Sequence, residues 1–323
     1  MKRVTGMVGG SVALWLLLAC APDGFSASDR SAGMEFVGST PGGTLVREFL
    51  GGLETNKACH CIVWQITFLT NQKTRVPTTY NLVARYRVPT RANTNQSEDG
   101  PGVALDGTWE ILKGTKSKPD AVVYRINAGK PARSLSFVKM NANLLHLLNP
   151  DGSLMVGNGG WSYTLNRADR AERPADPSVA LTAPDMSYKI SPLATGPTVF
   201  GVFEGRSPCH GISRELKLPQ HAGCTKVKWR VTLYQNPDTS APTTYKIEGS
   251  LHRRAAREGA WSIVRGTKAD SGAIAYRLNP TQTEPALLLL KADEHVLLFL
   301  SQDGEPFVGN TDFSYTLNRV TNK

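Results

Sequence analysis

From Lys226 to Leu233 the chain alternates strictly: Val227, Trp229, Val231 and Leu233 fall on one side, and Lys226, Lys228, Arg230 and Thr232 on the other. That period of two is the signature of a strand with one face buried and one in water. The same alternation runs through Tyr245, Ile247, Gly249 and Leu251 against Thr244, Lys246, Glu248 and Ser250. Further strands are predicted in GAWSIVRG, AIAYRLN, ALLLLKA, HVLLFLS and DFSYTLN, separated by turn formers at Asn236-Pro237-Asp238, Ala269 to Gly272 and Asp303-Gly304. No stretch carries a long helical period with caps. About eight short strands in succession call for a sandwich or a barrel, and a meander closes most simply as an up-and-down barrel.

The pattern occurs twice. Gly107 to Arg167 aligns without a gap on Gly259 to Arg319, at an offset of 152, with 25 of 61 positions identical. Cys59 to Tyr80 matches Cys224 to Tyr245 at offset 165, and Phe36 to Phe49 matches Phe203 to Leu216 at offset 167. The offset changes only between blocks, so insertions fall in loops. Such internal repetition sets the domain count before any other argument. The expected organisation is one all-β barrel over residues 34–168, a Pro- and Ala-rich linker over 169–196, and a second barrel over 197–320. The hexapeptide SYTLNR ends each repeat, at Ser162 to Arg167 and Ser314 to Arg319. It is expected to be the closing strand, with Tyr163, Tyr315, Leu165, Leu317 and the preceding Trp161 or Phe313 turned inward.

The first residues change the picture from a free domain pair to an exported one. Lys2 and Arg3 precede an apolar run from Met7 to Ala19, too short to span a bilayer as a helix but fitting a cleaved leader. Leu17-Leu18-Ala19-Cys20 resembles the lipobox of bacterial lipoproteins, which implies cleavage after residue 19, lipidation of Cys20 and a stalk over residues 20–33. Ala21 in place of an aspartate implies sorting to the outer membrane, facing the periplasm. Loss of the leader leaves 35 basic against 27 acidic residues, about +8. That charge favours anionic surfaces. It is scattered along strands without interleaved aromatic blocks, so nucleic acid is not an expected partner.

The second repeat, read as VFEGRSPCHGISRELKL, TYKIEGSL, GAWSIV, AIAYRL, LLFLSQDGEPF and FSYTLNR, resembles the N-terminal domain of the NlpE family of copper-resistance and envelope-stress lipoproteins. The first repeat keeps the same order more loosely. The resemblance implies two tandem small lipocalin-like antiparallel barrels of about eight strands each, and a role in envelope homeostasis, stress sensing or copper tolerance. The family's Pro-Cys-x-x-Cys is incomplete: Pro208-Cys209 is followed directly by His210-Gly211-Ile212, and the first repeat has Pro41-Gly42.

With Cys20 lipidated, four cysteines remain, in an oxidising compartment where disulfides are the default. Cys209 and Cys224, 15 residues apart around what reads as one strand and its return, are expected to be bridged. Cys59-His60-Cys61 has three readings: an oxidised pair, free thiols, or a site for copper or zinc, since thiolate and imidazole suit both metals. His146, His221, His252 and His295 show no ligand spacing and receive no role.

No nucleophile elbow, His-Glu-x-x-His or phosphate-cradling glycine loop is present, so a non-enzymatic protein is expected. The alternatives to the homeostatic role are a carrier of a small apolar ligand and a module that binds or inhibits another envelope protein. Large inward residues such as Trp64, Trp109, Trp229 and Trp261 count against a hollow barrel. Duplication would allow bivalent binding of one partner.

Overall fold

A computed structural model describes residues 32–51, 61–89, 97–127, 133–173, 191–217, 224–250, 256–268, 270–280 and 285–320. The predicted leader, the lipidation site Cys20 and most of the stalk lie outside these residues, as do Cys59 and His60.

The first barrel is built from β1 (Ala32–Thr40), β2 (Cys61–Thr70), β3 (Pro77–Pro89), β4 (Ser97–Lys113), β5 (Val122–Asn127), β6 (Ser134–Lys139), β7 (Leu144–Leu148) and β8 (Thr164–Arg167). The second uses β9 (Val199–Ser207), β10 (Val227–Gln235), β11 (Pro242–Gly249), β12 (Arg257–Arg265), β13 (Ile274–Pro280), β14 (Leu287–Lys291), β15 (Val296–Leu300) and β16 (Thr316–Arg319). Every sequential pair is antiparallel, and each barrel closes when its last strand returns to its first. Phe36 meets Arg167 and Val37 meets Asn166 in the first closure; Phe203 meets Arg319 and Glu204 meets Asn318 in the second. The all-β, two-barrel expectation is the observed fold. SYTLNR is the closing strand of each barrel.

Alternation places the apolar residues inside. Ile62, Trp64, Ile66 and Phe68 of β2 and Val227, Trp229, Val231 and Leu233 of β10 are all buried. Aromatic rings pack against one another in both interiors, in edge-on and tilted contacts. In the first barrel Phe68 lies 5.0 Å from Trp109, which lies 4.9 Å from Tyr124; in the second, Trp261 lies 5.2 Å from Tyr276 and Trp229 4.9 Å from Phe299. The indole N–H groups donate in matching ways in the two halves: Trp64 to Thr40 Oγ1 and Trp229 to Ser207 Oγ, both at 2.8 Å; Trp109 to the Leu69 carbonyl and Trp261 to that of Tyr234. Each donor is therefore satisfied inside an apolar core, as burial requires.

Three expectations are corrected. Two short helices were not foreseen: α1 (Thr44–Phe49) follows β1 and α2 (His210–Glu215) follows β9. Six residues are too few to show a helical period, and so short a helix holds only through tertiary packing. Val46, Phe49 and Leu50 join the first core, and Ile212 and Leu216 the second. Secondly, the described residues that follow Cys209 form α2, where a strand leading to Cys224 was expected. Thirdly, Trp161 and Phe313 lie outside the two barrel cores. Asn158 Oδ1 accepts the N–H groups of Gly160 and Trp161, and Asn310 Oδ1 those of Asp312 and Phe313, so a side-chain turn carries each aromatic out of the strand. Trp161 then meets the Arg206 guanidinium at 5.4 Å and Phe313 the Lys226 ammonium at 5.8 Å.

The Asp-Gly turns repeat between the two barrels. Gly152 and its counterpart Gly304 both adopt a positive φ, 77° and 80°, in the Asp-Gly turns, where a side chain would be strained. The described ends of the predicted linker are docked on the second barrel: Arg230 donates to the Ser191 carbonyl at 2.6 Å, and the Ser191 hydroxyl donates to Glu248 at 2.6 Å.

Candidate functional site

The outward face of each closing strand is where the two barrels meet. Tyr163 and Leu165 point into the first core and Tyr315 and Leu317 into the second, so Ser162, Thr164 and Asn166, with Ser314, Thr316 and Asn318, point outward. All six are nevertheless buried. The Ser162 and Ser314 hydroxyls lie 2.6 Å apart, and the Thr316 hydroxyl donates to Thr164 Oγ1 at 3.0 Å. Gly309 N–H donates to Asn166 Oδ1 at 2.7 Å, and reciprocally Gly157 N–H donates to Asn318 Oδ1 at 2.8 Å. Asn166 Nδ2 donates to the Asn310 carbonyl, and Asn318 Nδ2 to that of Asn158. Residue i touching j while j's counterpart touches i's is the mark of an isologous, twofold interface. Gly157 and Gly309 are required there: a Cβ on either would lie 2.2 Å from the Trp161 or Phe313 carbonyl oxygen.

An apolar patch continues this seam. Val123, Val138, Leu148 and Leu154 of the first barrel pack with Val296 and Ala292 of the second. His146 is fully buried beside it. Its Nδ1 is 2.9 Å from Thr164 Oγ1 and its Nε2 2.9 Å from the Met155 carbonyl. The carbonyl can only accept, so Nε2 carries the proton and Nδ1 accepts from Thr164. A directed chain results: Ser162 to Ser314, Ser314 to Thr316, Thr316 to Thr164, Thr164 to His146, His146 to Met155. Burial lowers the His146 pKa to about 4, against the smaller raising effects of the Met155 carbonyl and Asp293. The signal for this residue was in the sequence: a histidine interrupts LLHLL, where the second repeat has Leu298.

Two further contacts join the halves through charge. Arg87 donates to Asp312 at 2.7 Å, and Lys118 to Asp270 at 2.7 Å. Glu172, just after the first barrel, accepts the N–H groups of His210 and Gly211 and the Tyr315 hydroxyl, so it holds α2 of the second.

Of the sequence-predicted site residues, Cys209 and Cys224 are joined in a disulfide with Cα atoms 5.9 Å apart. Cys61 is buried at the start of β2, opposite Arg87 in the ladder with β3. The fields of both Arg87 and Arg206 act on it. Arg206 and Lys228 also crowd Lys226, whose pKa is lowered by burial first and by these like charges second. Among the described residues no three His, Cys, Asp or Glu side chains are grouped to hold a metal.

Where the ends of β9 and β16 meet, a shallow hollow of about 230 Å³ is lined by Leu193, Val199, Phe200, Arg319 and Val320. Arg319 lies over the rings of Phe200 and Phe203, at 5.4 and 4.7 Å.

Fold and seam together define a class: a tandem pair of closed eight-stranded barrels joined about a pseudo-twofold axis. No protein-family model matches the chain, and no curated protein or solved structure is significantly similar to it.

Proposed function

We propose that the chain is a lipid-anchored envelope protein with a non-enzymatic homeostatic or stress-sensing role, exerted by binding another envelope component at its outer surface. The observation that supports it is the set of large aromatic side chains buried in both barrel interiors. Trp64, Trp109, Trp229 and Trp261 occupy the space where a ligand-carrying barrel keeps its cavity. Action is thereby left to the outside of the molecule, whose basic charge suits anionic or acidic partners. The lipobox at Cys20 and the NlpE-like order of motifs are the sequence features behind the envelope placement. The copper-tolerance form of the reading rests on the NlpE resemblance and on Cys59, His60 and Cys61, of which only Cys61 lies among the described residues.

The test uses the full chain expressed in a bacterial envelope. A clickable palmitate label is expected on the wild type and absent from Cys20→Ser, with photo-crosslinkers on exposed strand positions capturing one recurrent envelope protein. Tightly held lipid in the purified soluble form, with no crosslinked partner, would replace this reading with that of a ligand carrier. Saturable Cu(I) binding, lost in Cys59→Ser with Cys61→Ser, would restore the metal role.

A further inference from the structure

The seam is twofold in plan but unlike in its members. Three cross-seam contacts join residues that are repeat counterparts at the offset of 152, and which therefore sit on the axis: Ser162 with Ser314, Thr164 with Thr316, and Lys118 with Asp270. In a pair of identical barrels each axis residue would face its own copy. Serine and threonine hydroxyls tolerate this, because each can donate or accept. Lys118 would not: two first barrels would oppose Lys118 to Lys118, and two second barrels Asp270 to Asp270. Off the axis the same holds. Arg87 finds Asp312 in the second barrel, but the first barrel carries Gly160 at that position. His146, which terminates the hydroxyl chain, is replaced by Leu298 in the second barrel.

We infer that the seam is a one-way dimer interface: a self-complementary twofold surface whose axis and flanking positions have become unlike, so that barrel 1 takes barrel 2 as its partner and neither accepts a second copy of itself. The partner that fits this surface is thus the other half of the same chain. Specificity arises as much from the repulsion built against like pairs as from the contacts made in the unlike one. This inference is independent of the proposed function.

The test uses the full chain with a protease site placed between Arg173 and Ser191 and cut after folding. Native mass spectrometry is expected to show one noncovalent 1:1 complex, and mixing with isotope-labelled nicked protein to yield only barrel 1 with barrel 2. Like pairs in comparable amounts, or halves that part at micromolar concentration, would overturn the inference. Lys118→Asp, which sets two aspartates on the axis, is expected to speed dissociation of the nicked complex about threefold to tenfold, an exposed pair being of modest weight. Adding Asp270→Lys should restore the wild-type rate. In the uncut chain the same pair of variants should lower and then restore the thermal midpoint, which keeps the test open should separated halves not persist. Equal damage from the single and the double variant would sink the role of the axis pair.

Discussion

At the scale of single residues, His146 shows how a packed surface sets a charge state. No water reaches its ring, so the imidazolium is unsolvated and the neutral form is held down to about pH 4. The unfolded chain takes up that proton near pH 6.5. Stability is therefore full above pH 6.5 and declines as pH falls toward 4, where the loss from this group reaches about 3 kcal/mol. Urea unfolding at pH 7.5, 5.5 and 4.5 should show the decline in the wild type and a shallower one in His146→Leu, the residue that the second barrel carries at this place. Parallel slopes in the two proteins would refute the assignment. The buried histidine was visible as an oddity within an apolar strand. Its partner across 18 residues was not, because nothing local in LLHLL specifies which hydroxyl faces it.

At the scale of elements, strands were legible and helices were not. Alternation in β2 and β10 specifies which side chains enter the core, and closure then follows from a meander that leaves no other edge to pair. α1 and α2 depend instead on what their few apolar residues touch. The two differ in how they are held: α2 has the Cys209 to Cys224 bridge, whereas the first repeat has Gly42 at the position of Cys209. A bridge closing a loop of this length stabilises by about 3 kcal/mol in the chain-entropy account. Cys209→Ser with Cys224→Ser is expected to lower unfolding stability by that amount and to make it insensitive to reductant. An unchanged urea midpoint would mean that Ile212, Leu216 and Glu172 hold α2 without the bridge.

At the scale of the whole molecule, the seam couples two domains that each have a core of their own. Asn166 and Asn318 each make two hydrogen bonds across it, and a buried partner stranded by their loss costs about 1 to 3 kcal/mol. Calorimetry of the full chain should give a single transition with matching calorimetric and van't Hoff enthalpies. Asn166→Ala with Asn318→Ala should split it into two, one per barrel. Two resolved transitions already in the wild type would show the seam to be too weak to couple them.

The amino-acid sequence by itself determined the duplication, the strands, the inward faces of β2 and β10 and the pairing of Cys209 with Cys224, because each depends on spacing along the chain. The identity of SYTLNR in the two halves was read as core packing and closure, which accounts for Tyr163, Leu165, Tyr315 and Leu317. Only the tertiary structure decided the rest of that motif. Ser162, Thr164 and Asn166 face away from their own barrel, and an outward polar residue reads as solvated until the surface opposite it is known. Here that surface is the same motif, turned about a twofold axis, so that serine meets serine and threonine meets threonine.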